Sequence, residues 1–121
     1  VSARIAEATD IINSSRAKLE LKDARAAQLY YDLGQFKAAA VAYNELLSAY
    51  PDANKADEYK LMSIKAYYRF AELSVEEKKD ERFEKVVQEC IDFLDRFPES
   101  NFEKEVQQFL TLSQKNIKNI S

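Results

Sequence analysis

Apolar residues recur at helical spacing along most of this chain. Ile5, Ile12, Leu19, Ala26 and Leu33 lie seven residues apart, and Ala8, Leu29 and Phe36 keep a second row beside them, interrupted by Ser15 and Lys22. One phase held from 5 to 33 without Pro or Gly predicts a single long helix. The alternative is two helices broken near Asn13, Ser14 and Ser15. Gly34 supplies the stop, since glycine commonly takes the left-handed position just past a helix. Phe36, Ala40, Tyr43, Leu47 and Tyr50 then step by 4, 3, 4, 3, a narrow stripe on one helix face. Pro51 ends that helix because its ring disfavours helical backbone at Tyr50. Asn54 is placed to cap a third helix, with Asp57 in the first turn where the helix dipole favours an acid.

The third helix carries two apolar stripes, Tyr59, Met62, Ala66, Phe70 and Leu73 on one side and Leu61, Ile64, Tyr67 and Tyr68 on another. A helix apolar on two sides is sandwiched between neighbours. Ser74 to Glu77 reads as a capping box for a fourth helix, whose stripe is Phe83, Val87, Cys90, Leu94 and Phe97. Pro98 stops it. Ser100 to Glu103 reads as a second capping box, ahead of a last helix with Phe102, Val106, Phe109, Leu110 and Ile117, whose end at 115–121 is expected to fray. The five helices are expected near 2–33, 36–50, 55–73, 75–97 and 101–117.

Segments 36–54 and 83–101 are one pattern written twice, 47 residues apart: Phe36 matches Phe83, Tyr43 matches Cys90, Leu47 matches Leu94 and Pro51 matches Pro98. An internal repeat of this length outranks other signals for the fold. The expected architecture is all-α, with antiparallel helical hairpins of tetratricopeptide type stacked in a right-handed superhelix. It forms one domain over 1–121, with repeat helices at about 2–50 and 55–97 and a final helix at about 101–117. Such stacks make binding surfaces rather than catalytic pockets.

Composition narrows the chemistry. The 121 residues suit one domain, and one Gly and two Pro leave long uninterrupted elements. Charged residues reach 32% in mixed sign with a net charge of −3, so no nucleic-acid partner is expected. Histidine is absent and Cys90 stands alone, which removes Ser–His and Cys–His nucleophile pairs and disfavours zinc. No catalytic residue, metal or cofactor is expected, and no segment is apolar enough to span a membrane. The chain starts at Val1 inside an element already under way, which predicts a fragment or a processed chain.

Gly34, Phe36, Ala39, Tyr43, Leu46 and Pro51 fall where tetratricopeptide repeats place a Gly, an aromatic, an Ala, an aromatic, an apolar residue and a Pro, with Ala27 and Tyr30 in the helix before. Those repeats recur about every 34 residues, so a spacing of 47 implies an insertion of about 13 before Phe83. The run from Arg16 to Asp23, then Leu29-Tyr30-Tyr31, Ala38-Ala39, Tyr50-Pro51-Asp52, the stretch from Ala71 to Phe83 and Phe97-Pro98-Glu99-Ser100 resemble the later repeats of the BamD family. These are the tetratricopeptide lipoproteins of the outer-membrane β-barrel assembly machine. The resemblance covers roughly 16–105 and implies a C-terminal half that docks on a BamA subunit at the periplasmic face of the outer membrane. It also implies a lipid anchor outside this chain, since Cys90 sits on a core stripe.

The resemblance and the two-sided third helix together point to a non-enzymatic protein-binding scaffold with a groove at Gln28, Tyr31, Asp32, Lys60, Ile64 and Tyr67. The alternative is a peptide-binding adaptor or co-chaperone of another tetratricopeptide family. A clamp for a C-terminal carboxylate needs several convergent basic residues, and only Lys60 among these six is basic. Tyr30, Tyr31, Tyr67 and Tyr68 either line such a groove or pack helix on helix, with Tyr30 at a packing position. Residues 76–84 with Lys85 form either a docking patch or a solvated helix start. Tyr43 and Cys90 are expected to be buried in equivalent sites between helices.

Overall fold

The computed structural model describes residues 2–118. Among these, five α-helices account for the regular structure: α1 (Ser2–Asp32), α2 (Phe36–Ala49), α3 (Ala56–Glu72), α4 (Glu76–Arg96) and α5 (Glu103–Asn116). Each bound lies within two residues of the sequence expectation. Helix α1 runs unbroken through Asn13, Ser14 and Ser15. Of the end expected to fray, 115–121, α5 stays helical through Asn116 and Lys118 bonds Asp80 and Glu76, while 119–121 lie outside the described residues.

Gly34 ends α1 at φ +78°, a conformation that L-residues with a Cβ rarely adopt. The Gly34 N–H reaches the Tyr31 carbonyl at 3.0 Å and the Gln35 N–H reaches the Tyr30 carbonyl at 2.9 Å. That pair of bonds is the Schellman motif, which satisfies carbonyls the helix end would otherwise leave free. Phe36 then packs edge-on against Tyr31 with ring centroids 5.1 Å apart, fixing the angle at which α2 leaves.

Consecutive helices run antiparallel. Arg16 meets Ala49 and Gln28 meets Tyr43 across α1 and α2. Phe36 lies by Arg69 and Tyr43 by Tyr59 across α2 and α3. Lys60 meets Asp92 and Tyr68 meets Phe83 across α3 and α4. Lys118, just past α5, reaches back to Glu76 at the start of α4. Helix α3 also lies along α5 through Lys65–Glu105 and Tyr68–Phe109. The helix predicted to be sandwiched is therefore the inner one.

The 47-residue repeat is carried by the backbone. The N–H of Tyr50 bonds the Leu46 carbonyl at 2.9 Å, and that of Phe97 bonds Phe93 at 2.8 Å. Ala53 to Tyr50 and Ser100 to Phe97 follow at 3.1 and 3.2 Å, and Ala56 to Ala53 and Glu103 to Ser100 at 3.0 and 3.2 Å. Tyr50 and Phe97 end their helices at φ −130°, ψ 62° and φ −126°, ψ 62°. Buried positions repeat at the same offset: Ala39 with Val86, Tyr43 with Cys90, Leu46 with Phe93, Tyr59 with Val106 and Ala66 with Ser113. The expectation that Tyr43 and Cys90 occupy matching buried sites holds.

Two clusters make the core. Ala27, Tyr43, Leu46, Tyr50 and Tyr59 join α1, α2 and α3. Ala39, Leu61, Ile64, Tyr67, Val86, Cys90, Phe93 and Val106 join α2 to α5. Fully buried side chains such as Phe93 and Ile64 each contribute about 1.5–3 kcal/mol through removal from water. The two ends of the molecule differ. Helix α5 turns Gln107, Gln108, Thr111 and Gln114 to solvent, at the positions where α3 buries Lys60, Leu61, Ile64 and Tyr67.

Several expectations are corrected. The heptad row on α1 does not face the core: Ile5 is 62% exposed, Ile12 65%, Leu19 55% and Leu33 65%. Helix α2 packs instead on Ala24, Ala27, Gln28 and Tyr31, where small residues allow close approach. Tyr30 and Leu73 are exposed rather than packed. Asn54 caps nothing; Lys55 occupies the N-cap position without a side-chain bond. Ser74 does not form its box, because its hydroxyl donates at 2.6 Å to the Phe70 carbonyl at the end of α3 and accepts from Arg82. The Ser100 hydroxyl takes the Phe102 N–H at 3.1 Å and donates to Asp57 at 2.7 Å, tying two turns together instead of closing a box with Glu103.

Candidate functional site

The six residues expected to line one groove do not form one surface. Ile64 is fully buried, Lys60 is 4% exposed and Tyr67 7%. Gln28 accepts the Tyr43 hydroxyl at 2.7 Å and donates to Asp32 at 2.9 Å, whereas Lys60 bonds to α4. Tyr31 is half-buried between Phe36 and the core, and Asp32 is exposed at the last turn of α1. Lys60 is spent on packing. Its ammonium lies 2.8 Å from Glu89 and 2.9 Å from Asp92 of α4. Burial pulls the Lys60 pKa down, but hydrogen bonds and charge from these two carboxylates push it above the ordinary lysine value. The Asn44 amide completes the cluster by donating to Tyr67 Oη at 3.3 Å and to Glu89 Oε1 at 3.1 Å.

This polar seam borders a groove between α2 and α4, floored by α3. Its main cleft, about 540 Å³, is lined by Lys37, Tyr67, Phe70, Glu81, Arg82, Glu84, Lys85 and Gln88. A second depression continues it past Tyr67 along Val41, Asn44, Glu45 and Ser48. The walls are cations laid on aromatic rings. The Lys37 ammonium lies 5.6 Å from the Tyr67 centroid and 5.7 Å from that of Phe70. Lys85 lies 5.4 Å from Tyr67, and the Arg82 guanidinium sits 4.2 Å over Phe70. At these distances the ring quadrupole attracts a cation. Arg82 is anchored by its 2.6 Å bond to Ser74. Lys85 approaches Glu89 only to 3.9 Å, and among the described residues Lys37 has no carboxylate partner within 4.0 Å. Burial raises the Tyr67 pKa, helped by the Glu89 charge and opposed by Asn44 and Lys60, so the ring stays a neutral phenol.

Tyr67 alone of the six expected residues lies in this groove. Arg82 and Lys85 were legible only as part of a charged helix start, and Lys37 carried no signal. Their convergence depends on α2 and α4 each pairing antiparallel with α3.

The second notable surface is α1. Helix α2 ends level with Arg16, which donates to the Ala49 carbonyl at 3.1 Å and stacks on Tyr50 at 4.9 Å. Before Arg16, α1 has no neighbouring helix among the described residues. Its row of Ile5, Ile12 and Leu19 lies open, continued by Leu29 and Leu33. Among the described residues no cluster of metal-ligating side chains forms and no helix is long and apolar enough to cross a membrane. Cys90 is fully buried, and burial pushes its thiol up to about 12, with Glu89 adding and Lys60 opposing.

No protein-family model matches the chain, and no curated protein matches it significantly.

Proposed function

We propose that this chain is a non-enzymatic protein-binding scaffold, a pair of tetratricopeptide-type hairpins in a right-handed stack closed by α5. It serves as the C-terminal repeats of the BamD family do, docking on a BamA-like subunit at the periplasmic face of the outer membrane. The observation that carries a protein-binding role is the open row of Ile5, Ile12, Leu19, Leu29 and Leu33 along one face of α1. A row of large apolar side chains left open on a folded domain suits contact with another protein. The repeated backbone turns at Tyr50 and Phe97 support the repeat assignment. The sequence resemblance over 16–105 supports the partner.

The test is titration with the soluble domains of a BamA-type subunit. The parent chain is expected to bind. The double variant Ile12→Asp/Leu19→Asp, with unchanged helicity, should lose about tenfold or more in affinity, since buried apolar anchors dominate such contacts. Tyr31→Ala tests the adjoining end of α1. A parent that ignores those domains and binds unrelated C-terminal peptides tightly would replace this reading with the adaptor one.

A further inference from the structure

We infer that the groove between α2 and α4 takes an extended, acidic protein segment, whose carboxylates seat between Lys37 and Lys85 above the Tyr67 ring. This deepens the scaffold reading and rests on it for the partner being a protein. It concerns a different surface from the apolar row on α1.

Three features carry the inference. The first is charge. In the main cleft Lys37, Arg82 and Lys85 outnumber Glu81 and Glu84 by one, so that cleft is net positive on a chain whose overall charge is −3, while Glu45 adds an acid to the depression beyond Tyr67. A locally reversed field concentrates partners of opposite sign and orients them on approach. The second is the state of the cations. They stand over ring faces rather than in tight ion pairs, held at 5.6 Å and 5.4 Å from one Tyr67 centroid on opposite walls. A carboxylate arriving between them gains charge-assisted hydrogen bonds without first breaking a close salt bridge. Glu89, the acid nearest Lys85, is already engaged by Lys60 at 2.8 Å and by Asn44. The third is shape. The cleft continues past Tyr67 into the depression beside Val41 and Ser48, which gives a linear path rather than a closed pocket. Gln88 supplies a side-chain amide to a passing main chain, and Arg82 is pinned by Ser74.

The experiment uses the whole chain, isotope-labelled, titrated with two blocked peptides of equal length, hexaglutamate and hexaglutamine. Hexaglutamate is expected to shift the amide signals of Lys37, Tyr67, Phe70, Arg82, Lys85 and Gln88. Hexaglutamine should leave them in place, and the shifts should fade at about 0.5 M salt, where screening shortens the reach of charge. The variant Lys37→Gln/Lys85→Gln alters exposed side chains and should keep the parent's circular dichroism while weakening hexaglutamate about tenfold. Equal shifts with hexaglutamine, shifts spread over other basic surface, or an unweakened variant would overturn the inference. Parallel titration with BamA-type domains separates the two readings. If those domains bind and hexaglutamate does not, the groove assignment falls and the scaffold stands. If hexaglutamate binds in the groove and the domains bind nowhere, the scaffold's proposed partner falls and the groove assignment stands.

Discussion

Ser113 stands in α5 where Ala66 stands in α3, 47 residues earlier, and both are completely buried. Among the described residues the Ser113 hydroxyl has no hydrogen-bond partner. A buried hydroxyl without a partner costs the free energy of its lost hydration, so Ser113→Ala should raise stability by about 1 kcal/mol in denaturant unfolding. Cys90 gives the reverse case. Cys90→Ser puts a hydroxyl among Leu61, Val86 and Phe93 and should cost about 1–3 kcal/mol. If the two substitutions move stability the same way, the apolar character of these paired sites is wrong. At this scale the sequence told burial well where a stripe position was apolar and poorly where it was not. Lys60 looked like a groove cation because its partners Glu89 and Asp92 lie about thirty positions on, visible only once α4 folds back on α3.

Helix α1 tests what one element can do without neighbours. From Ala24 to Tyr31 it is packed on α2, and Glu20 accepts the Tyr59 hydroxyl at 2.6 Å, a tie to α3. Before Arg16 it has only its own turns, with the Thr9 hydroxyl bonded to the Ile5 carbonyl at 2.9 Å. Isolated helix of about 12–15 residues is marginal in water, so amides of 5–15 should exchange with solvent about 100-fold faster than those of 24–31. Uniform protection along α1 would show that the row of Ile5, Ile12 and Leu19 is covered in solution. All five helices were legible because Pro51, Pro98 and Gly34 punctuate strong periodicities. The buried face of α1 was not, because a seven-residue period fixes the phase of a helix but not which side its neighbour takes. Ala24 and Ala27 mark the real contact, and small residues carry a weak signal. The misread caps share a cause: Ser74 and Ser100 each found a tertiary partner, Arg82 and Asp57, that outcompeted the local box.

The whole molecule is built to lose stability on the alkaline side. Burial first, and then the Asp32 and Glu58 charges, push Tyr43 up to about 12; burial, with the Glu20 hydrogen bond, pushes Tyr59 higher still, and burial raises Tyr67 and Tyr68. Cys90 is raised to about 12 and Lys60 is raised by its two carboxylates against the pull of burial. A pKa raised on folding means the folded state holds its proton more tightly. The associated stability is complete below the unfolded values, 9.0 for the thiol, 10.0 for tyrosine and 10.5 for lysine, and is lost as pH rises through the folded ones. The midpoint of thermal unfolding should therefore hold from neutrality to about pH 9 and fall steeply above about pH 10, together with tyrosine ionisation followed by ultraviolet absorbance. A decline beginning near neutrality would exclude these groups as its cause. The contrast between the two outer helices has a further consequence. The face of α5 carries Gln107, Gln108, Thr111 and Gln114, while that of α1 carries isoleucine and leucine. Head-to-tail contact between identical subunits generates open filaments only when one end complements the other. Here the apolar row of α1 would meet glutamine and threonine on α5, with Leu112 the one large apolar side chain open there among the described residues, so head-to-tail contact between copies would bury little apolar surface on the α5 side.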